Sequence, residues 1–216
     1  MALTFYFHPL SSYCHKALIA LYENETPFIP KVVNLGDPAE SEAFKKLWPV
    51  RKFPVLHDTD GDRTIPESSI IIEYLDHHYP GRTRFIPRDA DHAREMRFRD
   101  RFFDLYIHAP MQQVIGDRLR PADAKDAFGV AEAKARIAGS YDIAEKMLAG
   151  KTWALGNDFT LADCAAAPAL FYGGMVVPFA ATHPTLAAYF ERLKQRPSYA
   201  RVLKEAEPFL QFVPKE

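Results

Sequence analysis

Ser11-Ser12-Tyr13-Cys14 decides how the beginning of this chain folds, because it joins two segments of different pattern. The apolar run before it, Leu3-Thr4-Phe5-Tyr6-Phe7, is typical of a buried strand, and the apolar spacing after it, at residues 17–21, is typical of a helix. At such a junction the free backbone N–H groups and the positive end of the helix dipole favour a negative charge. We therefore expect a place where a thiol or thiolate is stabilised.

The same tetrapeptide has the spacing of a Cys-x-x-Cys redox motif, with Ser11 in the place of the first cysteine and Cys14 in the second. A protein of this geometry without the attacking cysteine could use a serine hydroxyl to hold the thiolate of a soluble thiol cofactor. The alternative interpretation is that Ser11 and Ser12 only cap the helix, since serine is a preferred N-cap residue. Taken alone, the tetrapeptide favours the cap. A complete thiol-binding pocket elsewhere in the chain would favour the thiol site.

The composition excludes some classes of partner. The chain has 216 residues, 48% of them hydrophobic, which is enough for one large core or two modest ones, and we expect two domains. A formal net charge of −1 gives no reason to expect a nucleic acid or an anionic membrane as a partner. Cys14 and Cys164 both lie in apolar helical surroundings, which favours a reducing cytoplasm over a disulfide framework.

The sequence lacks the patterns of a membrane span, a signal peptide and a metal site. There is no apolar run long enough to span a bilayer and no signal-peptide pattern, so we expect a soluble, unprocessed protein. His, Cys, Asp and Glu do not occur at metal-ligand spacing, so we expect no metal.

Residues 1–80 are predicted to form a mixed α/β domain. A strand-like segment at 29–33 completes a strand–helix–strand unit, which normally leaves its two strands parallel. After a short helix at 39–47, Pro54 stands in a third strand, and because proline cannot donate to the ladder it marks a sheet edge, a strand start or a cis peptide beside a site. A short returning strand at 63–65 completes a hairpin.

A second helix start that could bind an anion follows the hairpin. Pro66-Glu67-Ser68-Ser69 is a polar cap directly before a buried helical pattern, whose first amides are free. Residues 81–89 are polar with prolines near both ends and are predicted to be the linker.

Residues 90–216 are predicted to be all helical. Apolar residues recur at helical spacing without strand-like alternation, and the predicted helices span residues 91–120, 125–148, 185–195 and 199–206. Thr160 to Asp163 has the pattern of a capping box, for which we expect a structural role.

Taken in order, these segments resemble the soluble, cytosolic-type glutathione S-transferase family, and within it the serine-using members of bacterial or zeta-like type. The resemblance covers essentially the whole chain and rests on four motifs, Pro9 to Cys14, Lys52 to Leu56, Pro66 to Ser68 and Thr160 to Asp163. Each motif is weak singly, but four in order with the right separations are strong. The resemblance implies a thioredoxin-like N-terminal domain followed by an all-helical C-terminal domain, usually paired as a homodimer.

The resemblance also implies a glutathione transferase, with glutathione as cosubstrate on the first domain and a small, mostly apolar electrophile in the cleft between the domains. Ser11 falls where the family carries the hydroxyl that donates to the glutathione sulfur, and Ser12 is its close rival. The other implied contacts are Lys52 near the glycine carboxylate, Pro54 as a cis-proline, Val55 pairing its backbone with the cysteinyl part, and Glu67 with Ser68 at the γ-glutamyl end.

Elementary chemistry agrees with these assignments. The Ser68 amide and hydroxyl at a helix start suit a carboxylate, Glu67 suits an ammonium and Lys52 suits a second carboxylate. A plain helix cap at Glu67 and Ser68, and a solvated loop charge at Lys52, remain the alternatives. Cys14 and His108 are expected to be structural.

Two other functions stay open at this point. The position of Cys14 leaves a glutathione-dependent disulfide oxidoreductase possible, and a non-catalytic glutathione-binding module would have the same motifs. The electrophile is not identified. We expect the helix at 91–120 to line its cleft with some of Met96, Phe102, Phe103, Tyr106 and Met111, and an arginine among Arg94, Arg97, Arg99 and Arg101 would favour an anionic group if it faced that cleft.

Overall fold

The computed structural model describes residues 2–214, so the outer ends of the predicted domains, residue 1 and residues 215–216, lie outside the described residues. The strands are β1 (Leu3–Phe7), β2 (Ile29–Val32), β3 (Val55–Asp58) and β4 (Arg63–Pro66). The helices of the first part of the chain are α1 (Ser12–Glu23), α2 (Pro38–Leu47) and α3 (Ser68–His78). Those of the second part are α4 (Ala90–Phe102), α5 (Ala109–Arg118), α6 (Ala127–Leu148), α7 (Leu161–Val176), α8 (Pro184–Gln195) and α9 (Pro197–Ala206).

The four described strands form one mixed sheet in the order β2-β1-β3-β4. β1 runs parallel to β2, as the predicted strand–helix–strand unit requires, and antiparallel to β3. β3 and β4 form the predicted hairpin. Leu3, Phe5 and Phe7 alternate with less buried residues along β1, which turns one face of the sheet towards the core.

Helix α1 lies at the centre of the molecule. Its residues from Cys14 to Leu21 are buried, and it packs against α3, α7 and α9. A helix that is apolar on nearly all sides must be covered by other elements on each of them. Accordingly, most buried apolar residues on both sides of residues 81–89 form one continuous cluster. A smaller, separate cluster consists of Val33, Phe44 and Val55. The exact limits of the two domains stay a prediction.

The long helix predicted from Asp91 to Arg120 is interrupted in its hydrogen bonding. α4 continues through a π-helical segment, Phe103–His108, into α5. Pro110 lacks the N–H that would bond the carbonyl of Tyr106, and this carbonyl instead accepts a hydrogen bond from the Ser140 hydroxyl at 3.0 Å. The wide turn brings His108 and the start of α5 against the start of α1.

The capping box predicted at Thr160 to Asp163 is confirmed at the start of α7. The buried Asp163 carboxylate accepts hydrogen bonds from the Thr160 amide at 2.9 Å, the Ala154 amide at 2.7 Å and the Tyr189 hydroxyl at 2.8 Å. These contacts join three segments of the helical part. None of the described helices combines the length and the apolar character needed to cross a bilayer.

Candidate functional site

The start of α1 presents two hydroxyls and two free amides. Ser11 is the N-cap, with its Oγ 3.4 Å from the Cys14 amide. The first backbone bonds into the helix come from the Cys14 and His15 amides, so the Ser12 and Tyr13 amides have no partner within the helix. Ser11 is half-buried, whereas Ser12 is buried.

Ser12 is contacted from the helical part of the chain. Its Oγ lies in a short contact with Nε2 of His108 and 3.2 Å from Nε2 of Gln112. The Tyr13 ring stacks on the His108 ring with centroids 3.9 Å apart. Nothing in the sequence predicts this meeting, because 96 residues separate Ser12 from His108.

The start of α3 is a second cluster of free amides. The first backbone bond into this helix runs from Ile71 to the Glu67 carbonyl, which leaves the amides of Ser68, Ser69 and Ile70 without a helical partner. Glu67 has φ of 70°, a region that a residue with a Cβ rarely adopts. Such backbone strain is typical of functional turns. Ser68 is buried at this helix start.

A cavity of about 430 Å³ opens onto the α3 start, and four of the predicted glutathione contacts line it. They are Lys52, Pro54, Glu67 and Ser68. The Phe53–Pro54 peptide is cis, which was one of the three interpretations of this proline.

Val55 is the predicted contact that the structure does not bring to this cavity. It is buried in β3, opposite Tyr6 on one side and Pro66 on the other, and it lines neither this cavity nor the one beside it. Phe53 stands at the cavity in its place. The difference arises because the strand begins immediately after Pro54, so Val55 already lies inside the sheet.

A second cavity, of about 600 Å³, opens onto the α1 start. Ser11 and Ser12 both line it, and Tyr13, Lys52 and Phe53 border both cavities. The rest of its wall is mostly apolar or aromatic and includes Leu10, Leu35, Met111, Ile115, Tyr172 and Val213. The two helix starts therefore face two adjoining cavities. Most residues that line the first are charged or polar, and most that line the second are apolar or aromatic.

The expected wall from the long helix is only partly present. Met111 lines the second cavity, whereas Met96, Phe102 and Phe103 are buried in the core. Tyr106 is exposed on the outside. Ala109, Gln112 and Ile115 of α5 also line the second cavity, although the sequence did not single them out. The π-helical segment changes the helical register before α5, so the face of α5 at the cavity could not be read from the spacing in α4.

The four candidate arginines do not face the second cavity. Arg94 is paired with Asp91 at 2.6 Å on the surface, and buried Arg99 is paired with Glu95 at 2.8 Å. Arg97 and Arg101 line the first cavity instead, and Arg97 binds Glu73 through two nitrogens at 3.0 and 3.1 Å.

A buried ion cluster beneath the first cavity is the main feature that sequence reasoning missed. Lys16 is fully buried, with Nζ 2.5 Å from Asp100 and 2.8 Å from Asp104. Asp100 and Asp104 also line the first cavity, and Asp100 accepts a hydrogen bond from Ser69 at 2.9 Å. Burial lowers the pKa of Lys16, but the two aspartates outweigh it and the pKa is raised overall. In the sequence, a lysine within a helix does not indicate a buried ion pair with aspartates far along the chain.

The thiol and phenol groups at the α1 start are held in their neutral forms. Burial raises the pKa of the Cys14 thiol to about 12, and Cys14 has no exposed surface. Burial, and then the charge of Asp104, raise the pKa of Tyr13 to about 12 as well. Cys14 therefore lacks both the thiolate and the access that redox chemistry needs. Within residues 2–214 no group of three or more His, Cys, Asp and Glu side chains is placed to hold a metal ion.

Comparison with known proteins gives consistent matches in sequence and structure. The sequence profile of the glutathione S-transferase N-terminal domain matches residues 5–83, and that of the C-terminal domain matches residues 102–197. Glutathione S-transferase Z1 of Arabidopsis thaliana is 31% identical over 206 residues, which cover 92% of this chain and 90% of the relative.

Two crystal structures extend the match to the fold. A glutathione S-transferase of Methylobacterium radiotolerans, in complex with glutathione sulfonate, is 27% identical, with a TM-score of 0.82 over 94% of each chain. A glutathione S-transferase of Methylobacillus flagellatus with glutathione bound has a TM-score of 0.85 over 93% of this chain and 98% of its own, at 22% identity, which shows the likeness of fold alone. The predicted fold class, a thioredoxin-like domain followed by a helical one, is confirmed.

Proposed function

Because this chain belongs to the glutathione S-transferase family, we propose that it binds glutathione and transfers its thiol to a small, mostly apolar electrophile. The observation that carries the proposal is the pair of adjoining cavities. The polar one opens onto the free amides of α3 and the apolar one onto the hydroxyls and free amides of α1. A peptide thiol bound in the first can present its sulfur to the second.

In this proposal the ends of glutathione are recognised by charge. The γ-glutamyl carboxylate takes the free amides and the hydroxyl at Ser68, because a helix start favours an anion. Its ammonium takes the carboxylates of Glu67 and Asp100, which line the same cavity. Lys52, which lines the same cavity next to Phe53 in the chain, takes the glycine carboxylate. Pro54 shapes the turn on which the peptide backbone rests.

The thiol is activated by lowering its pKa. A free cysteine thiol has a pKa of about 8.5, so only a few per cent is ionised at neutral pH, and a depression of about two units, worth ~2.7 kcal/mol, makes the thiolate dominant. A hydrogen bond donated to the sulfur by the hydroxyl of Ser11 or Ser12, together with the helix start of α1, supplies stabilisation of this size. The released proton goes to solvent.

The thiolate then attacks an electrophilic carbon, forming a carbon–sulfur bond. In substitution the leaving group departs with its electron pair, and in addition the carbanion takes up a proton from solvent. The serine stays a hydrogen-bond donor and forms no covalent adduct. The mostly apolar lining of the second cavity favours neutral, hydrophobic electrophiles.

Calorimetry with glutathione and a conjugation assay with chlorodinitrobenzene test the proposal. The wild-type protein is expected to bind glutathione at millimolar concentration or below and to turn over. The double variant Ser11→Ala/Ser12→Ala is expected to keep its glutathione affinity and to lose about 10²- to 10³-fold in kcat/KM. Absence of binding at millimolar glutathione would refute the proposal.

The alternatives are separated by the same set of assays. A disulfide-reduction assay run beside conjugation tests the oxidoreductase, which the buried, neutral Cys14 does not support. Measurable glutathione affinity with no turnover on a broad panel of electrophiles would instead identify a binding module.

We also propose that the protein acts in the cytoplasm as a homodimer. Cys14 and Cys164 are free and buried, which suits a reducing compartment. Four apolar side chains are each roughly half exposed in this region: Ile70, Phe98, Leu105 and Tyr106. Ile70 and Leu105 line the first cavity, and the rings of Phe98 and Tyr106 both lie beside the Phe102 ring. An exposed apolar face of this kind is typical of a protein–protein contact, and a second copy of the chain is the partner that the family favours.

A further inference from the structure

Ser11 and Ser12 stand in different environments, although both reach the second cavity. Ser11 is the helix cap, and its oxygen accepts from the Cys14 amide. Ser12 is buried and is contacted across the cleft by two nitrogen atoms, Nε2 of Gln112 at 3.2 Å and Nε2 of His108 at closer range. The two contacts determine where the hydroxyl proton of Ser12 can point.

The Gln112 contact is a donation to Ser12, because the amide nitrogen carries protons and no lone pair for hydrogen bonding. For His108 the direction depends on the tautomer. Nδ1 of His108 is buried and has no hydrogen-bond partner. If the proton sat on Nδ1, a buried N–H would be left without an acceptor, whereas a proton on Nε2 leaves only an unused lone pair. Orphaned buried N–H groups are the rarer and costlier case.

His108 is also neutral under ordinary conditions. Burial, and then the charge of Lys16 and the neighbouring His15, lower the pKa of its imidazole to about 3. A neutral ring with its proton on Nε2 donates to Ser12 and accepts nothing from it. Both lone pairs of the Ser12 oxygen are then occupied, one by Gln112 and one by His108. Its own proton has no acceptor in residues 2–214 and is left for a ligand in the second cavity.

We propose that His108 and Gln112 are positioning residues that make Ser12 the hydroxyl donor to the glutathione thiolate. His108 does not line either cavity, so it acts through Ser12 and not on the substrate. Each donated hydrogen bond also polarises the hydroxyl and strengthens its own donation. The stacking of the Tyr13 ring on His108 holds the imidazole in place. This inference rests on the proposed function and assigns the donor within it.

The experiment measures the pKa of the glutathione thiol bound to the protein, from the ultraviolet absorbance of the thiolate as a function of pH. His108→Phe keeps an aromatic ring against Tyr13 but removes the donor, and it is expected to raise the bound thiol pKa by about one unit. Ser12→Ala should raise it at least as much. In the Ser12→Ala background His108→Phe should add nothing, because its effect passes through Ser12.

Three further variants separate positioning from a loss of structure. His108→Gln retains an N–H donor and should return the thiol pKa towards the wild-type value. Because Gln112 is exposed, we expect Gln112→Met to fold normally. It should raise the thiol pKa, as His108→Phe does. Gln113→Met is the matched control, since Gln113 contacts Gly129 and Arg136 instead, and it should leave the thiol pKa unchanged. Affinity for S-methylglutathione, which has no ionisable thiol, should be the same in all of them.

The outcomes are distinct. If the wild-type protein shows a thiolate signal and neither His108→Phe nor Gln112→Met shifts the pKa of the bound thiol, this inference is overturned and the proposed function is not. The inference also fails if His108→Phe and Gln112→Met raise the thiol pKa as much in the Ser12→Ala background as they do in the wild-type protein. It fails, too, if Ser11→Ala abolishes the thiolate while Ser12→Ala does not. Absence of any thiolate in the wild-type complex overturns the proposed function and, with it, this assignment.

Discussion

Ser68 shows how one residue combines local and tertiary roles. As the first residue of α3 it carries an amide without a helical partner, and it is buried and lines the first cavity. Glu67 supplies the unusual turn before it, with φ of 70°. The sequence alone allowed a plain helix cap here, but the Glu67 side chain makes no capping hydrogen bond. Glu67 therefore does not cap the helix with its side chain, but it lines the cavity.

The first prediction concerns this hydroxyl. Ser68→Ala removes a hydrogen bond to a carboxylate, so glutathione affinity measured by calorimetry should fall by about 1.5–3 kcal/mol. Thr64→Ala is the control, because Thr64 is an exposed hydroxyl residue of β4 that does not line the cavity. Equal affinity of Ser68→Ala and the wild-type protein would refute the assignment of Ser68.

At the scale of elements, Glu23 at the end of α1 joins the two parts of the chain. Its buried carboxylate accepts two hydrogen bonds from Arg196, at 2.7 and 2.9 Å, one from Ser198 at 2.8 Å and one from Thr83 at 3.0 Å. Arg196 in turn lies over the Phe159 ring, 3.9 Å from its centroid. These contacts tie α1 to the start of α9 and to the segment between α3 and α4. The position of α1, and with it of Ser11 and Ser12, depends on them.

Glu23→Gln should destabilise the protein by about 3 kcal/mol in urea unfolding at neutral pH, because it leaves the guanidinium of Arg196 without its counter-charge. Asp91→Asn removes a carboxylate in the same way from the exposed pair with Arg94 and should cost less than about 1 kcal/mol. Similar losses for the two variants would contradict the role of Glu23.

The same contact predicts a pH dependence. Burial raises the pKa of Glu23, but the hydrogen bonds from Arg196 and Ser198 outweigh it, so the folded-state pKa lies below the ordinary value of 4.5. A carboxyl with a lowered folded pKa contributes its stability above the unfolded pKa and loses it as the pH falls through the folded one. The difference in stability between the wild-type protein and Glu23→Gln should therefore shrink below pH 4.5.

For the whole molecule, the prediction concerns the apolar face beside the first cavity. Phe98→Glu/Tyr106→Glu places two charges on this face and should convert the proposed homodimer into a monomer, as measured by sedimentation or light scattering. Leu119→Glu/Phe128→Glu is the control, because both residues are well exposed elsewhere, Leu119 just after α5 and Phe128 at the start of α6. A wild-type protein that is monomeric at micromolar concentration, or a Phe98→Glu/Tyr106→Glu variant that stays dimeric, would show that this face is not the interface.

How much could be predicted differs between the fold and the site. The strand and helix segments and the capping box came from local patterns, because periodicity and caps are properties of neighbouring residues. Lys52, Pro54, Glu67 and Ser68 came from motifs and reach one cavity. Val55 was assigned to glutathione by the resemblance, and only the sheet register shows that Tyr6 and Pro66 lie on its two sides.

The sequence by itself determined that a strand runs into a helix at Ser11-Ser12, that a second helix starts at Glu67-Ser68, and that the second part of the chain is helical. These follow from propensity, capping and spacing within a few residues. Only the tertiary structure decided that Lys16 meets Asp100 and Asp104 and that His108 and Gln112 meet Ser12. The physical reason is that these contacts join residues from about eighty to a hundred positions apart. The contacts of Ser12 depend in addition on how the π-helical segment turns α5 towards α1.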